Sequence, residues 1–390
     1  MREGWEYKKL GEVASSELGK TLNKSKDTGK LYPYICAVNV LWDMIDLTIL
    51  KHAFFEKEEI DRYSVRKGDL LVCEGGDTGR SAIWEKEEPV LYQNALHRVR
   101  FTTEMEARFA MYCLWHLKNN GQIDQKYSKG VTIKHLVKSS LLSIELPVPP
   151  LSTQLSIVSE LDKINELIRL KKEQLKDYDN LAQSIFYEMF GDPVVNEKGW
   201  EVKKLGEVAM IKTGPFGSML HKEDYITGGI PLINPMHIQN FKAVPDKDFS
   251  ISKEKAAELC NYQLKINDVI FARRGDIGRC AVISDKEAGC LCGTGSLFVR
   301  FERKLSSIYT MYVVRTTSFI KELVSKAKGA TMLNLNSSTM ENLRFPIPPL
   351  PLQQLFAKRI ELIEKQKAEI QSTIADLETL LASRMQYWFD

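Results

Sequence analysis

The chain has no excess of charge of either sign: 54 Lys and Arg face 51 Asp and Glu, a net charge of +3. A polyanionic partner is therefore neither demanded nor excluded, because binding needs a local basic patch and not a basic average. A disulfide framework is missing too. The seven cysteines (Cys36, Cys73, Cys113, Cys260, Cys280, Cys290, Cys292) are odd in number and scattered, and several sit in apolar runs such as 70–73. A reducing cytoplasm is the expected setting. The close pair Cys290-Leu291-Cys292 has no second pair and no histidine cluster beside it, so no metal site is expected. No stretch of ~18 uncharged apolar residues occurs, and the N-terminus Met1 to Glu6 opens without an apolar signal core, so neither membrane spanning nor secretion is expected.

Catalytic signatures are also absent. There is no G-x-x-x-x-G-K-[ST] phosphate loop, which argues against ATP hydrolysis by this chain. Asp192 with Glu201-Val202-Lys203 has the composition of a magnesium nuclease site, but the matching Glu6-Tyr7-Lys8 has no acid upstream. The plainer reading is the capped start of a domain. Asn234-Pro235-Met236-His237 only approximates an amino-methyltransferase turn, since the second proline and the stacking aromatic are missing. No catalytic residues are assigned.

What the chain does have is a duplication. Its 390 residues, 44% hydrophobic and 27% charged, have an ordinary globular composition and a length that fits two domains. GWEYKKLGEVA from Gly4 returns as GWEVKKLGEVA from Gly199, ten matches in eleven at an offset of 195. Residues 67–72 followed by Gly76 to Arg80 answer to residues 266–271 followed by Gly275 to Arg279. Pro147-Val148-Pro149-Pro150-Leu151 with Gln154 answers to Pro346-Ile347-Pro348-Pro349-Leu350 with Gln353. One unit of about 195 residues is written twice.

Each unit opens with roughly 150 residues of mixed periodicity. Short apolar runs at 69–73, 268–272 and 297–301 read as strands, and 106–117 and 307–326 read as helices. The fold class is α+β. After each proline cluster a heptad seam begins. In the first unit it runs through Leu161, Ile164, Ile168, Lys171, Leu175, Tyr178, Ala182, Ile185 and Met189, and Gly191 with Pro193 closes it. In the second it runs through Phe356, Ile360, Ile363, Lys367, Ile370, Ile374, Leu377, Leu381, Arg384 and Trp388. Each narrow stripe needs a helical partner, and the other seam is the nearest candidate, in antiparallel sense. The expected division is a first head at 1–149, a central spacer helix at 150–191, a second head at 192–348 and a C-terminal spacer helix at 349–390. A helix of about 38 residues measures roughly 57 Å, so the expected architecture is a pseudo-twofold ruler with a head at each end.

Glycine-rich, hydroxyl-rich and basic loops recur at equivalent places in both units. Backbone amides at glycine turns, with hydroxyl and cationic side chains beside them, suit phosphate oxygens, while Arg, Asn, Gln and His reach base edges. In the first unit the candidate DNA contacts are Lys20, Asn39, Arg80, Gln93, His97, Arg98, Lys129 and Lys134. In the second they are Lys212, Ser218, His237, Arg274, Arg279, Thr294, Ser296, Lys328 and Asn334. Each single loop is equally an ordinary turn; recurrence is what strengthens the set. The frame repeats, yet its tips differ: Asn39-Val40 faces His237-Ile238, 93–95 faces Gly293-Thr294-Gly295, and Lys134-His135 faces Leu333-Asn334. Two scaffolds with different tips would read two different half-targets.

The repeated W-x-x-x-x-L-G-E-V-A opening, the strand before the glycine turn and P-x-P-P-L-x-x-Q leading into a long helix closely resemble type I restriction-modification specificity subunits. The resemblance covers essentially the whole chain. It implies two target recognition domains, each reading one half of a split double-stranded DNA target, with the helices setting the gap. It also implies two modification subunits that bring S-adenosylmethionine and methylate adenine, and restriction subunits that use ATP and magnesium to translocate and cleave DNA. No cofactor is assigned to this chain itself. Two departures are Asn267 in place of Gly68, and an end at Asp390 with no appended segment, which leaves closure of the second head onto the first to the helices. Two other readings stay open: the specificity part of a type IIB-like restriction enzyme, which neighbouring genes would separate, and a coiled-coil protein-binding scaffold, which salt-dependent duplex binding would count against.

Overall fold

The structure, a computed structural model, describes residues 4–22, 29–130, 134–301, 305–327 and 334–390. It divides into two compact units, Met1–Glu173 with Gln371–Asp390, and Gln174–Ile370. The division falls inside both long helices, Leu151–Phe190 and Leu350–Phe389, so each unit is a head carrying one end of each helix. The sequence division into contiguous blocks therefore differs from the packing: residues 371–390 fold with the first head, and 174–190 with the second.

The near-identical openings form the base of each head. Glu6–Lys9 pairs antiparallel with Glu145–Val148, and Glu201–Lys204 pairs the same way with Arg344–Ile347. The motif leucines that follow are fully buried, and their N–H groups donate across the base, Leu10 to Ile144 O at 2.8 Å and Leu205 to Leu343 O at 2.9 Å. The motif glutamines complete the joint. Gln154 is fully buried, donates to the carbonyls of Pro149 and Glu104 at 2.8 Å each, and accepts from Glu106 N at 2.8 Å. Gln353 repeats this with Pro348 O and Ser306 N, both at 2.8 Å. P-x-P-P-L-x-x-Q thus ties the start of a long helix to the start of a head helix, satisfying backbone groups that burial would otherwise orphan.

Each head holds two four-stranded sheets. In the first, one sheet is antiparallel in the order Ala14–Leu18, Leu96–Phe101, Leu70–Cys73, Ser81–Ile83; its counterpart in the second is Ala209–Thr213, Ser296–Phe301, Val269–Ala272, Cys280–Val282. Leu70–Cys73 and Val269–Ala272 are buried along their whole length, which is why they read as continuous apolar runs without alternation. The other sheet contains one parallel pairing, Leu91 with Tyr34 in the first head and Leu232 with Leu291 in the second. Gly68 and Asn267 both adopt a left-handed conformation, with φ of 87° and 69°. Asn tolerates that region, so the substitution between units is explained. The aspartate that follows anchors a bidentate pair in each head: Arg100 on Asp69 at 2.7 and 2.9 Å, Arg300 on Asp268 at 2.8 and 2.6 Å.

The first head helix runs Ala107–Asn119. The expected helix at 307–326 is instead two, Ser307–Arg315 and Thr317–Lys326. The break is at Thr316, which is extended, donates its hydroxyl to Val313 O at 2.8 Å and caps Phe319 N at 3.3 Å.

The seam residues of the helices are buried or half-buried as periodicity predicts: Leu161, Ile164, Ile168, Ile374, Leu377 and Leu381 in the first unit, and Leu175, Ile185, Ile360, Ile363 and Ile370 in the second. Two of their polar exceptions, Arg384 and Lys367, are matched by carboxylates, and a further ion pair at Lys172 joins the helices in the first unit. In the first unit Arg384 pairs with Glu160, which also accepts from Trp388 Nε1 at 3.1 Å, and Lys172 reaches Glu378 at 2.7 Å. In the second Lys367 donates to Asp179 at 2.9 Å and Glu364 at 2.8 Å. In both units rising numbers on one helix meet falling numbers on the other, so the helices run antiparallel. Periodicity alone missed Phe186 and Phe190, both buried. They join the end of the seam to the core of the second head, where Phe190 meets Tyr309 at 4.7 Å and the seam residue Phe356 at 5.3 Å between ring centroids.

Candidate nucleic-acid interface

The recurring loops lie at the ends of these strands, and the same backbone hydrogen bonds gather them in each head. In the first head Gln93 N donates to Ile35 O at 3.1 Å, Glu74 N to Ala95 O at 2.9 Å, Leu136 N to Glu74 O at 2.7 Å, and Gly19 N to Leu96 O at 3.2 Å. The second head repeats them as Gly293 N to Ile233 O at 3.0 Å, Arg273 N to Gly295 O at 3.1 Å, Leu335 N to Arg273 O at 2.8 Å, and Gly214 N to Ser296 O at 3.0 Å. The two glycine loops approach so closely that a methyl group at Gly214 would run into the carbonyl of Gly293. Arg80 donates to Ala37 O at 2.9 Å and Arg279 to Pro235 O at 3.3 Å, tying in a fifth segment. Each head thus presents one surface of five loops built on one backbone frame.

Several residues expected at DNA are instead part of that frame. Asn39 is buried, donating to Asp46 O at 2.9 Å and Ile49 O at 3.0 Å while its Oδ1 accepts from Cys36 N at 3.1 Å. His237 holds the matching turn from inside, its Nδ1 at 3.2 Å from Asn234 N and 2.9 Å from Leu232 O. His97 is fully buried, with Nε2 at 2.7 Å from Leu136 O, and burial holds its pKa below the ordinary value, which favours the neutral ring. Arg98, 7% exposed, donates to the carbonyls of Arg62 and Ser64 at 2.8 and 2.7 Å and to Glu17 at 2.9 Å. Ser296 is fully buried. These five are buried in the frame, so in this conformation they present little or no surface to a base or a phosphate.

Others sit at the rim with internal partners. Lys20 donates to Phe54 O at 2.9 Å and pairs with Glu59. Arg80 and Arg279 face Asp77 at 3.7 Å and Asp276 at 3.3 Å. Lys134 reaches Asp124 O at 3.0 Å, and Lys212 covers the Tyr262 ring at 4.7 Å. Lys129, Ser218 and Arg274 are exposed, while Gln93, Thr294 and Asn334 are half-buried. Lys328 lies outside the described residues, as do Val131, Thr132 and Leu333 of the neighbouring loops. The rejected metal candidate is a turn: Asp192 Oδ1 accepts from Val194 N at 2.8 Å and Val195 N at 3.1 Å. Among the described residues no group of three or more His, Cys, Asp or Glu is placed to hold a metal ion.

The loop surface also contains residues that the sequence reading passed over. Glu74 is half-buried between the linked loops, and burial raises its pKa against the pull of His135. At the equivalent backbone position stands Arg273, whose Nε donates to Asn334 Oδ1 at 3.2 Å. Burial, and then the neighbouring Arg274, lower the Arg273 pKa. Among the described residues no carboxylate pairs with Arg273 or Arg274. Register was the signal available for finding them: 73–80 and 272–279 align residue for residue, with Glu-Gly in one and Arg-Arg in the other.

The model of the type I restriction modification DNA specificity domain matches the chain twice, at residues 2–177 and 197–379. The type I restriction enzyme MjaIX specificity subunit of Methanocaldococcus jannaschii is 25% identical, over 93% of this chain and 87% of the relative. The EcoBI specificity subunit of Escherichia coli is 22% identical over 77% of this chain and 67% of its own length. Among solved structures, the type I restriction-modification S subunit from M. genitalium aligns with a TM-score of 0.54 at 15% identity, over 99% of this chain and 96% of that one. A chain from a structural study of type I restriction-modification complex assembly and conformational transition aligns at 0.60 and 19% identity, over 99% and 97%.

Proposed function

Because the chain belongs to the type I restriction modification DNA specificity family, it is a DNA-recognition subunit of a type I restriction-modification complex and not itself an enzyme, and we propose how its parts divide that work. Each head reads one half of an asymmetric, split duplex target. The observation that carries this is the pair of loop surfaces, one hydrogen-bonded frame supporting different side chains in the two heads. Identical tips would read a palindrome; different tips on a common scaffold read two unlike sequences.

The antiparallel helices fix the spacing between the half-targets. Their duplicated outer faces dock two copies of one modification subunit, since equivalent surfaces on a pseudo-symmetric chain accept identical partners. Restriction subunits join that assembly. S-adenosylmethionine, ATP and magnesium are held by the partners. Sharing the DNA clamp with them accounts for the mild net charge of +3. Among the described residues no helix is long and apolar enough to cross a membrane, and the assembly acts on DNA in the cytoplasm.

The test is the methylome of cells expressing the chain with its modification partner. An asymmetric, split, adenine-methylated motif is expected. A continuous or palindromic motif would overturn the division of labour between the heads.

A further inference from the structure

The two heads place opposite charges at one point of the shared loop frame. Glu74 and Arg273 are each bonded through their N–H to the turn that follows the parallel strand, and through their carbonyl to the loop at 135–136 or 334–335. Both backbone atoms are fixed, so each side chain leaves a rigid anchor. That anchor is the pre-organisation that a base contact requires.

The side chains differ in what they leave available. Arg273 Nε is taken by Asn334 Oδ1 at 3.2 Å, while among the described residues neither Nη atom has a partner. A guanidinium held at Nε presents its two Nη groups as a fork, the geometry that matches O6 and N7 on the major-groove edge of guanine. Glu74 is half-buried, and among the described residues its carboxylate accepts no hydrogen bond and joins no ion pair. Beside a phosphate backbone such a carboxylate is repelled. It is accommodated where it faces a donor, and the donors on the major-groove edges are the exocyclic amino groups of cytosine and adenine.

We propose that this one scaffold position distinguishes the two half-targets, with Glu74 accepting from a base amino group, cytosine N4 or adenine N6, and Arg273 forking onto guanine. The inference rests on the DNA-recognition reading above and goes beyond it by naming the residues and the bases. Asn334 is a positioning residue for Arg273. His135 holds the equivalent backbone place beside Glu74 through its bridge to Gly75.

The experiment uses the full chain assembled with its modification partner. Methylation rates are measured on the cognate duplex and on duplexes with each base pair of either half replaced, for the wild type, Glu74→Gln, Arg273→Lys and Arg273→Gln. Glu74→Gln keeps an acceptor and adds an amide donor that suits adenine N7, so it is expected to shift a cytosine position of the first half towards adenine, or to sharpen the choice where that base is already adenine, and the direction of the change separates the two amino donors. Arg273→Lys keeps the charge but loses the fork, and is expected to relax one guanine of the second half; Arg273→Gln is expected to shift that position towards adenine. The untouched half of the target shows in each case that the variant is folded. Unchanged discrimination in both halves, with the split motif intact, overturns the inference and leaves the recognition reading standing. Equal relaxation of both halves also overturns it. Absence of any split motif in the wild type overturns the reading beneath it.

Discussion

Arg98 separates a structural role from a DNA-binding one most sharply, and Arg98→Met is the variant to make. Met keeps the packing of the side-chain stem near the Tyr92 ring, which the guanidinium now covers at 5.6 Å, and removes only the donors. Two carbonyls, Arg62 O and Ser64 O, then lose charge-assisted bonds of 2.8 and 2.7 Å, and Glu17 loses one of its two arginine partners, at 2.9 Å, while keeping Arg62 at 3.1 Å. Leaving a buried acceptor unsatisfied costs about 1–3 kcal/mol, and Glu17, which is partly exposed, recovers water. Together these give about 3 kcal/mol. For a unit of this size, ~2–4 °C of Tm per kcal/mol converts this to a fall of roughly 6–12 °C in the transition of the first unit. Differential scanning calorimetry of the chain reads that fall. Duplex binding by the assembled complex, titrated against salt, supplies the second measurement, and the slope of log K against log salt is expected to stay unchanged. A phosphate contact would behave in the opposite way, lowering the slope by about one with little change in Tm. That outcome would refute the structural assignment of Arg98.

Burial pushes the Asp43 carboxyl up to about 6 from its ordinary 3.8, against the lowering pull of Arg108. A raised acid favours folding while it is protonated, so its contribution is full below about pH 4 and is lost as pH rises through about 6. The difference amounts to about 3 kcal/mol. Asp43→Asn is expected to flatten that dependence in urea unfolding between pH 4 and 8, and parallel curves for variant and wild type would count against it. Phe186→Ala, opening a cavity among Phe190, Tyr309, Tyr312 and Phe356, is expected to cost about 3–5 kcal/mol. Faster hydrogen exchange confined to the second unit checks it. Adding seven residues to both long helices at the 173/174 and 370/371 boundaries lengthens each by ~10.5 Å, about three base-pair steps. The methylated motif should keep both halves and widen its gap; an unchanged gap would refute the spacer.

Much of the architecture was legible in the order of residues. The duplication shows as near-identity at Gly4 and Gly199 because the same ladder, buried leucine and glutamine clamp must be built twice. The helices show because a seam buried against another helix imposes a period that neighbours along the chain carry themselves. Gly68 and Asn267 mark a left-handed turn because few other residues adopt one. The candidate site was only half legible. Lys129 and Arg274 are exposed on the loops, whereas Asn39, His97, Arg98 and His237 have the same polar character and are buried.

Sequence by itself determined the two copies, the strands and helices within each, and which segments form loops, since all of these follow from local periodicity and turn chemistry. Tertiary structure alone decided which polar side chains face solvent. His97 Nε2 meets a carbonyl 39 residues away, and Arg98 meets a carboxylate 81 residues away. It also decided that the last twenty residues pack with the first head, and that Glu74 and Arg273 occupy one anchored point of the frame. The physical reason is common to these cases. Burial and hydrogen-bond satisfaction depend on partners that the chain brings together only when it folds, and no local pattern records the partner's position.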